Sequence, residues 1–126
     1  MDLFISIKLD HAPCPHQQGI RMAGRMMFKS QKLKDTEQEI KYQIIDQLNK
    51  LRDFKVPKAE SYRVELTFGY PNKVYPDLDN AAKTVLDSMQ GLIIENDKLI
   101  DELILKRVKS EKGTYTITIG IDYITT

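Results

Sequence analysis

Hydrophobic and polar residues alternate along three stretches of the chain. These stretches are residues 3–9, 62–70 and 115–123, and in each of them every second residue is Leu, Ile, Val, Phe or Tyr. This alternation is typical of strands that bury one face. A further strand-like segment covers residues 99–108. The pattern therefore predicts four strands.

Two segments have the spacing of amphipathic helices instead. In the first, Thr36 and Glu39 form a capping box that predicts the helix start, and the apolar positions that follow are Ile40, Ile44, Ile45, Leu48 and Leu51. The second is predicted from Asn80 onward, with Asp79 as N-cap and Gly91 in the C-terminal cap position. Its apolar face consists of Ala82, Val85, Leu86 and Met89.

The predicted order of elements is β-α-β-α-β-β. This order predicts an α/β (α+β) fold with one mixed sheet of about four strands and two helices packed on it. Residues 109–113, which end in glycine, are predicted to form a hairpin connection between the last two strands. The pattern shows no internal repeat and no boundary, so residues 1–126 are predicted to be one domain.

Composition narrows the class without assigning a function. The chain has 126 residues, 41% of them hydrophobic and 29% charged, with a net charge of +1. These values are typical of a soluble globular domain, and the net charge gives no reason to expect nucleic acid. The single Cys14 cannot form an internal disulfide, and no apolar run approaches the roughly 20 residues of a membrane span. We expect a cytoplasmic protein without a membrane partner.

Charge is concentrated locally in residues 11–34. This segment contains two prolines, two glycines and no acid, and it is predicted to be irregular over its first half. Its basic residues alternate with methionines and a phenylalanine and are the candidate DNA contacts: Arg21, Arg25, Lys29, Lys32 and Lys34. The alternative is a solvated basic loop. His11, Cys14 and His16 match no common zinc spacing.

Acidic residues are concentrated between residues 76 and 101. Asp77 and Asp79 would project from the same side of an extended backbone, and Lys83 lies four residues beyond Asp79 on the predicted helix. Asp97 would return to them if the segment after the helix folds back. Carboxylates are the ligands that Mg²⁺ or Mn²⁺ prefers, so this pattern indicates a metal-dependent phosphoryl or nucleotidyl enzyme. The alternative is that these acids are helix caps and turn residues.

The run D-L-D-N-A-A-K-T-V-L-D-S-M-Q-G, followed by N-D-K-L-I, resembles the RusA family of Holliday-junction resolvases. These are small endodeoxyribonucleases frequent in phages and prophages. The family motif is roughly D-x-D-N-x-x-K-x-x-x-D, with an acidic pair further on. The matching residues here are Asp77, Asp79, Asn80, Lys83, Asp87 and, for the second acid of the later pair, Asp97.

This resemblance implies a homodimer that cuts four-way DNA junctions with Mg²⁺ or Mn²⁺. It implies that Asp77, Asp79 and Asp97 bind the metal and that Lys83 is the catalytic cation. Asn80 and Asp87 would support the local structure. The sequence departs from the family at Asn96, where the first acid of the later pair is expected, and at 16–18, where the early basic motif is absent.

Two other functions remain open on the sequence. The first is a non-catalytic, structure-selective DNA-binding protein that uses the basic segment 21–34, with the acids serving as caps. The second is a phosphotransferase acting on a small nucleotide, which the basic segment argues against.

Overall fold

The computed structural model describes residues 1–125 and contains two sheets and two α-helices. The main sheet consists of β1 (Leu3–Leu9), β4 (Ser61–Tyr70), β5 (Ile100–Lys109) and β6 (Tyr115–Ile124), and a small hairpin consists of β2 (Ile20–Ala23) and β3 (Met26–Lys29). The helices are α1 (Gln31–Lys50) and α2 (Leu78–Met89). The predicted α+β class, with a mixed four-stranded sheet and two helices, is confirmed.

The strand order in the main sheet is β1-β6-β4-β5, with β5 parallel to β4 and the other pairs antiparallel. The predicted hairpin between the last two strands is therefore wrong, because β4 lies between them. The chain leaving β5 crosses the end of β4, where the Ser110 amide donates to the Tyr70 carbonyl (3.0 Å). Gly69 lies under this crossing, where a β-carbon would come within 3.1 Å of the Ser110 side chain and would also clash with the Thr116 hydroxyl group of β6.

The core lies between one face of the sheet and the two helices. The strand residues that the alternation assigned to the buried face are buried, as in β1, where every second residue is buried from Leu3 to Leu9. The exceptions are Tyr115 and Tyr123 in β6, which are half-buried. Helix residues Ile40, Ile44, Val85 and Met89 are almost completely buried against the strands. The predicted core positions of the strands are confirmed, because one register places them on one face. In the first predicted helix, burial is confirmed at Ile40 and Ile44 and wrong at Ile45 and Leu51, which are both 43% exposed.

Helix α1 begins six residues earlier than the capping box predicted. Its N-cap is Ser30, whose hydroxyl oxygen accepts a hydrogen bond from the Leu33 amide (3.2 Å). Leu33 is fully buried and extends the apolar stripe by two turns, so the helix gains packing by starting before it. Thr36 is a buried helix residue whose hydroxyl oxygen accepts from the Cys14 amide (3.1 Å).

Helix α2 ends in a tight turn that sends the chain back along it. Gly91 has φ +82°, which confirms its predicted place in the C-terminal cap, and the amides of Leu92 and Ile93 both donate to the Met89 carbonyl (3.1 Å). Ile93 and Ile94 are buried, so this turn is packed into the core. The short 3₁₀ turn at Asp97–Leu99 is thereby placed close to α2.

None of the helices in the described part of the chain is long and apolar enough to cross a membrane.

Candidate active site

The two acids of the D-x-D sequence lie at the start of α2. The helix begins at Leu78, so Asp77 is the N-cap residue and the prediction that Asp79 caps the helix is wrong. Asp77 has an extended backbone (φ −59°, ψ 145°) and its carbonyl accepts from the Ala81 amide (3.1 Å). Asp79 lies in the first helical turn, and its Oδ1 accepts from the Asn80 amide (3.0 Å).

The backbone is extended at Asp77 only, so the argument that an extended chain aligns the two carboxylates does not hold. Their common position is instead the N-terminal turn of α2. Unpaired amides and the helix dipole favour negative groups at a helix N-terminus. Both side chains are exposed, and neither forms an ion pair with another residue in the range 1–125.

Lys83 links α2 to the acid that follows it. The lysine lies one helical turn beyond Asp79, with its Nζ 3.0 Å from Asp87 Oδ1 and 3.4 Å from Asp97 Oδ2. Asp97 opens the 3₁₀ turn, where Asn96 acts as N-cap by accepting from the Lys98 amide (3.0 Å). The segment after α2 does fold back, and it reaches the helix at Lys83.

The charge state of Lys83 follows from these contacts. The hydrogen bond to Asp87 raises the pKa of the Lys83 ammonium above its ordinary value, and Asp97 acts in the same direction. Lys83 is therefore a permanent cation at neutral pH, positioned within the acidic cluster.

Asp77, Asp79 and Asp97 fit a divalent metal ion by the chemistry of their side chains, but the three do not lie close together. Three carboxylates offer the hard oxygen ligands that Mg²⁺ or Mn²⁺ prefers, so the chemistry of the donors fits. The distances between the side chains do not fit in the same way. Within residues 1–125, no three His, Cys, Asp or Glu side chains are grouped closely enough to hold an ion. In this conformation Asp97 faces Lys83 instead of the other two acids.

Asp87 is the centre of a charged cluster on the other side of Lys83. Its side chain is only 14% exposed, and its Oδ2 lies 3.5 Å from His16 Nδ1 and 3.6 Å from Lys29 Nζ. Asp87 therefore joins the candidate catalytic lysine to the basic segment. The motif resemblance implied a supporting role for Asp87, but no pattern indicated His16 or Lys29 as its neighbours, because they are separated from it by more than 50 residues.

Residues 14–17, which precede the basic β2–β3 hairpin, form hydrogen bonds with α2. The Asn80 carbonyl accepts from the His16 amide (3.3 Å), and the Asn80 amide group donates to Gln17 Oε1 (3.2 Å). Thr84 donates its hydroxyl to the Cys14 carbonyl (2.9 Å). One helix thus positions both the acids and the segment that leads into the hairpin.

Segment 11–34 was predicted to be irregular over its first half, which is confirmed for residues 11–16 and wrong for 20–22, because these belong to β2. It contains a 3₁₀ turn at Gln17–Gly19 and then the β2–β3 hairpin, which turns at Gly24 (φ +62°). Arg21 and Arg25 are exposed on this hairpin, and Lys32 and Lys34 are exposed in the first turns of α1. Lys29 differs from these four, since its Nζ lies 2.8 Å from the nearly buried Glu37 as well as near Asp87.

This difference leads to opposite expectations for Lys29→Ala and Arg25→Ala. Loss of Lys29 leaves the buried Glu37 without its cation, so we expect a loss of about 1–3 kcal/mol in the free energy of unfolding. Arg25→Ala should leave stability unchanged and weaken DNA binding, with the slope of log K against log salt falling by about one. Urea unfolding and fluorescence anisotropy at several salt concentrations measure the two effects. Equal loss of stability in both variants would contradict the expectation.

Acids at a helix start, a charged lysine among them and a basic hairpin positioned by the same helix are typical of proteins that act on phosphate-bearing polymers. A family model for endodeoxyribonuclease RusA matches residues 11–120. The chain therefore belongs to the RusA family of endodeoxyribonucleases, which confirms the resemblance seen in the motif. Membership implies endodeoxyribonuclease activity on Holliday junctions. A search of curated proteins found no match.

Proposed function

We propose that this protein resolves four-way DNA junctions by paired, metal-dependent hydrolysis of phosphodiester bonds during recombination and repair. The observation that carries the proposal is the position of Lys83, which lies one turn beyond Asp79 and contacts Asp97 in a chain of the RusA family. The working unit would be the single domain of residues 1–126, acting as a homodimer in the cytoplasm of a bacterial cell and encoded by a phage or prophage.

Asp77, Asp79 and Asp97 would hold Mg²⁺ or Mn²⁺ in this proposal. The bound ion supplies Lewis-acid chemistry, by which water is activated and the leaving oxygen is stabilised. The placement of Asp77 and Asp79 in the first turn of α2 leaves both carboxylates open to solvent and to substrate. The third carboxylate, Asp97, lies 3.4 Å from the Lys83 ammonium beside the helix.

Lys83 would stabilise the negative charge that develops on the phosphate when water attacks the phosphorus and the ester oxygen leaves. A preorganised cation contributes most where it needs no reorientation during the reaction. Asp87 provides that preorganisation, because its side chain is only 14% exposed and its Oδ2 lies 3.6 Å from the Lys29 ammonium, which keeps it in place beside Lys83.

The exposed basic residues would place the DNA on this site. Arg21, Arg25, Lys32 and Lys34 offer phosphate contacts that position a backbone without reading bases. A four-way junction has near two-fold symmetry, so a symmetric dimer would present two such sites and make paired cuts.

The test is cleavage of a labelled four-way junction, with Mg²⁺ and with EDTA, beside linear duplex and single strand. We expect paired nicks on the junction alone, and only with the metal ion. Because no three acids meet at metal-holding spacing in the described residues, a non-catalytic, structure-selective binder is the second candidate. It would show strong, salt-dependent junction binding without Mg²⁺-dependent nicks, and that result would overturn the proposed catalysis.

A further inference from the structure

A cleft of about 550 Å³ lies beside the loop that joins β4 to α2. Its lining includes Tyr70 at the end of β4, Lys73 and Tyr75 in the loop, and Arg107 and Lys109 at the end of β5. This volume lies within the roughly 300–1,000 Å³ typical of sites for small ligands. The cleft is separate from the acidic cluster and from the basic hairpin.

Among residues 1–125, the cations around the cleft have no acidic partners. Lys73, Arg107 and Lys109 form no ion pair with any other residue of the described chain, whereas the neighbouring Lys106 pairs with Glu65 (2.8 Å) on the other face of β5. Three unpaired cations that share one cleft repel each other and attract an anion. A phosphate group has the charge and the oxygen acceptors that such a cleft would bind.

The cleft also offers an aromatic surface. The Arg107 guanidinium carbon lies 3.7 Å from the centroid of the Tyr75 ring, and the Tyr70 ring lies 5.6 Å from it at 42°. Tyr75 remains 41% exposed although it is held from these sides. An exposed aromatic ring held among cations is the usual platform on which an unpaired base stacks.

Tyr70 adds an unused hydrogen-bonding group. Its hydroxyl is buried and has no hydrogen-bond partner among residues 1–125, an uncommon state for a buried polar atom. Burial raises the pKa of Tyr70 to about 12, so the hydroxyl keeps its proton at neutral pH and stays a donor.

The cleft is connected to the candidate active site by a few residues of chain. Tyr75 precedes Asp77 by two residues, and Lys32 lines a second, smaller cleft against the other side of the same loop. A DNA strand whose scissile phosphate lies at the start of α2 would therefore pass this loop. Strands β4 and β5 are parallel, and their register pairs Tyr70 with Lys109. This pairing places Lys109 at the cleft.

We propose that this cleft binds one unstacked nucleotide of the DNA strand at the branch point. Its phosphate would contact Arg107, Lys73 and Lys109, and its base would stack on Tyr75. The inference rests on the proposed function, because the branch point of a four-way junction supplies unstacked nucleotides next to the cut. A free nucleotide has the same chemistry, and the experiment must separate the two sources.

Binding of a fluorescent four-way junction by Arg107→Ala, with Lys106→Ala as the matched control, is the first measurement. We expect Arg107→Ala to weaken binding about tenfold and to lower the salt slope by about one, while Lys106→Ala stays close to wild type. If the two variants bound the junction equally well and the wild-type protein bound and cut it, the proposed nucleotide site in the cleft would be wrong. The proposed function would be unaffected. Absence of junction binding by the wild-type protein would instead overturn both.

The position of the base is tested by photo-crosslinking with 5-iododeoxyuridine placed at the branch point. We expect the crosslink to map to Tyr75, to persist in Tyr75→Phe and to be lost in Tyr75→Leu, with thermal unfolding confirming that both variants are folded. A crosslink that maps elsewhere would overturn the assignment. Tight binding of labelled dAMP that is lost in Arg107→Ala, without any change in junction binding, would assign the cleft to a free nucleotide and overturn the DNA proposal.

Discussion

Asp79→Asn is expected to abolish junction cleavage and to leave junction binding unchanged. The substitution removes one negative charge from the first turn of α2 but keeps an oxygen that accepts from the Asn80 amide. Asparagine is also compatible with a helix start, so the fold should be retained. A neutral amide is a much poorer ligand for a divalent ion than a carboxylate. The rate of nicking and the dissociation constant for the junction, measured on the same preparation, separate the two effects.

Asp53→Asn is the matched control for this substitution. Asp53 is an exposed acid in the turn after α1, and its backbone has φ +61°, a conformation that asparagine tolerates well. We expect cleavage by Asp53→Asn to equal that of the wild type. If Asp79→Asn cut junctions at the wild-type rate, Asp79 would be only a helix-start residue and its assignment as a metal ligand would be wrong.

The parts of the fold that the sequence predicted correctly depend on local periodicity. The strand containing Val64 and Leu66 and the helix containing Val85 and Met89 each bury one face, and burial of one face leaves a period in the sequence. The ends of the helices were predicted less well, because more than one residue in the sequence can serve as the N-cap. Ser30 and Thr36 are both acceptable N-caps by residue type, and only the packing of Leu33 decides between them.

The parts that were missed depend on pairing between distant segments. Nothing in residues 100–124 reveals that β6 pairs with β1 and β4 and that β5 takes the outer edge, so the last two strands were joined in a hairpin. The cleft at Arg107 is a consequence of the same topology, since parallel pairing with β4 brings that residue to Tyr75. A charge count along the chain cannot find cations that only a sheet brings together.

The candidate site shows the same division. The motif predicted which acids and which lysine to examine, because several residue types recur at fixed offsets along one helix. It did not predict that Asp87 would be shared among Lys83, Lys29 and His16, which removes Lys29 from the set of free cations. Acid-free sequence around Lys29 indicated an unpaired charge, but α1 and α2 supply Glu37 and Asp87 from elsewhere in the chain.

Lys83→Ala should lower kcat for cleavage by about 10²–10³ while binding of the junction and of the metal ion changes little. A fall in kcat of this size is usual when one preorganised group that stabilises transition-state charge is removed. The fold should survive, because Asp87 keeps Lys29 as a partner and the Lys83 side chain is 45% exposed. Single-turnover cleavage at saturating protein isolates the chemical step from binding.

Two further variants decide whether Lys83 acts on the reaction or only on stability. Lys83→Arg keeps the charge and should retain part of the rate. Lys50→Ala removes the lysine of another ion pair four residues apart on a helix, with the same 3.0 Å separation from its partner Asp46, and should cost at most about 1 kcal/mol in stability with no loss of cleavage. A Lys83→Ala protein that loses several kcal/mol of unfolding free energy would show that the lysine holds the 3₁₀ turn at Asp97 in place. Its effect on cleavage would then follow from the loss of that turn, and the assignment of Lys83 as the catalytic cation would be wrong.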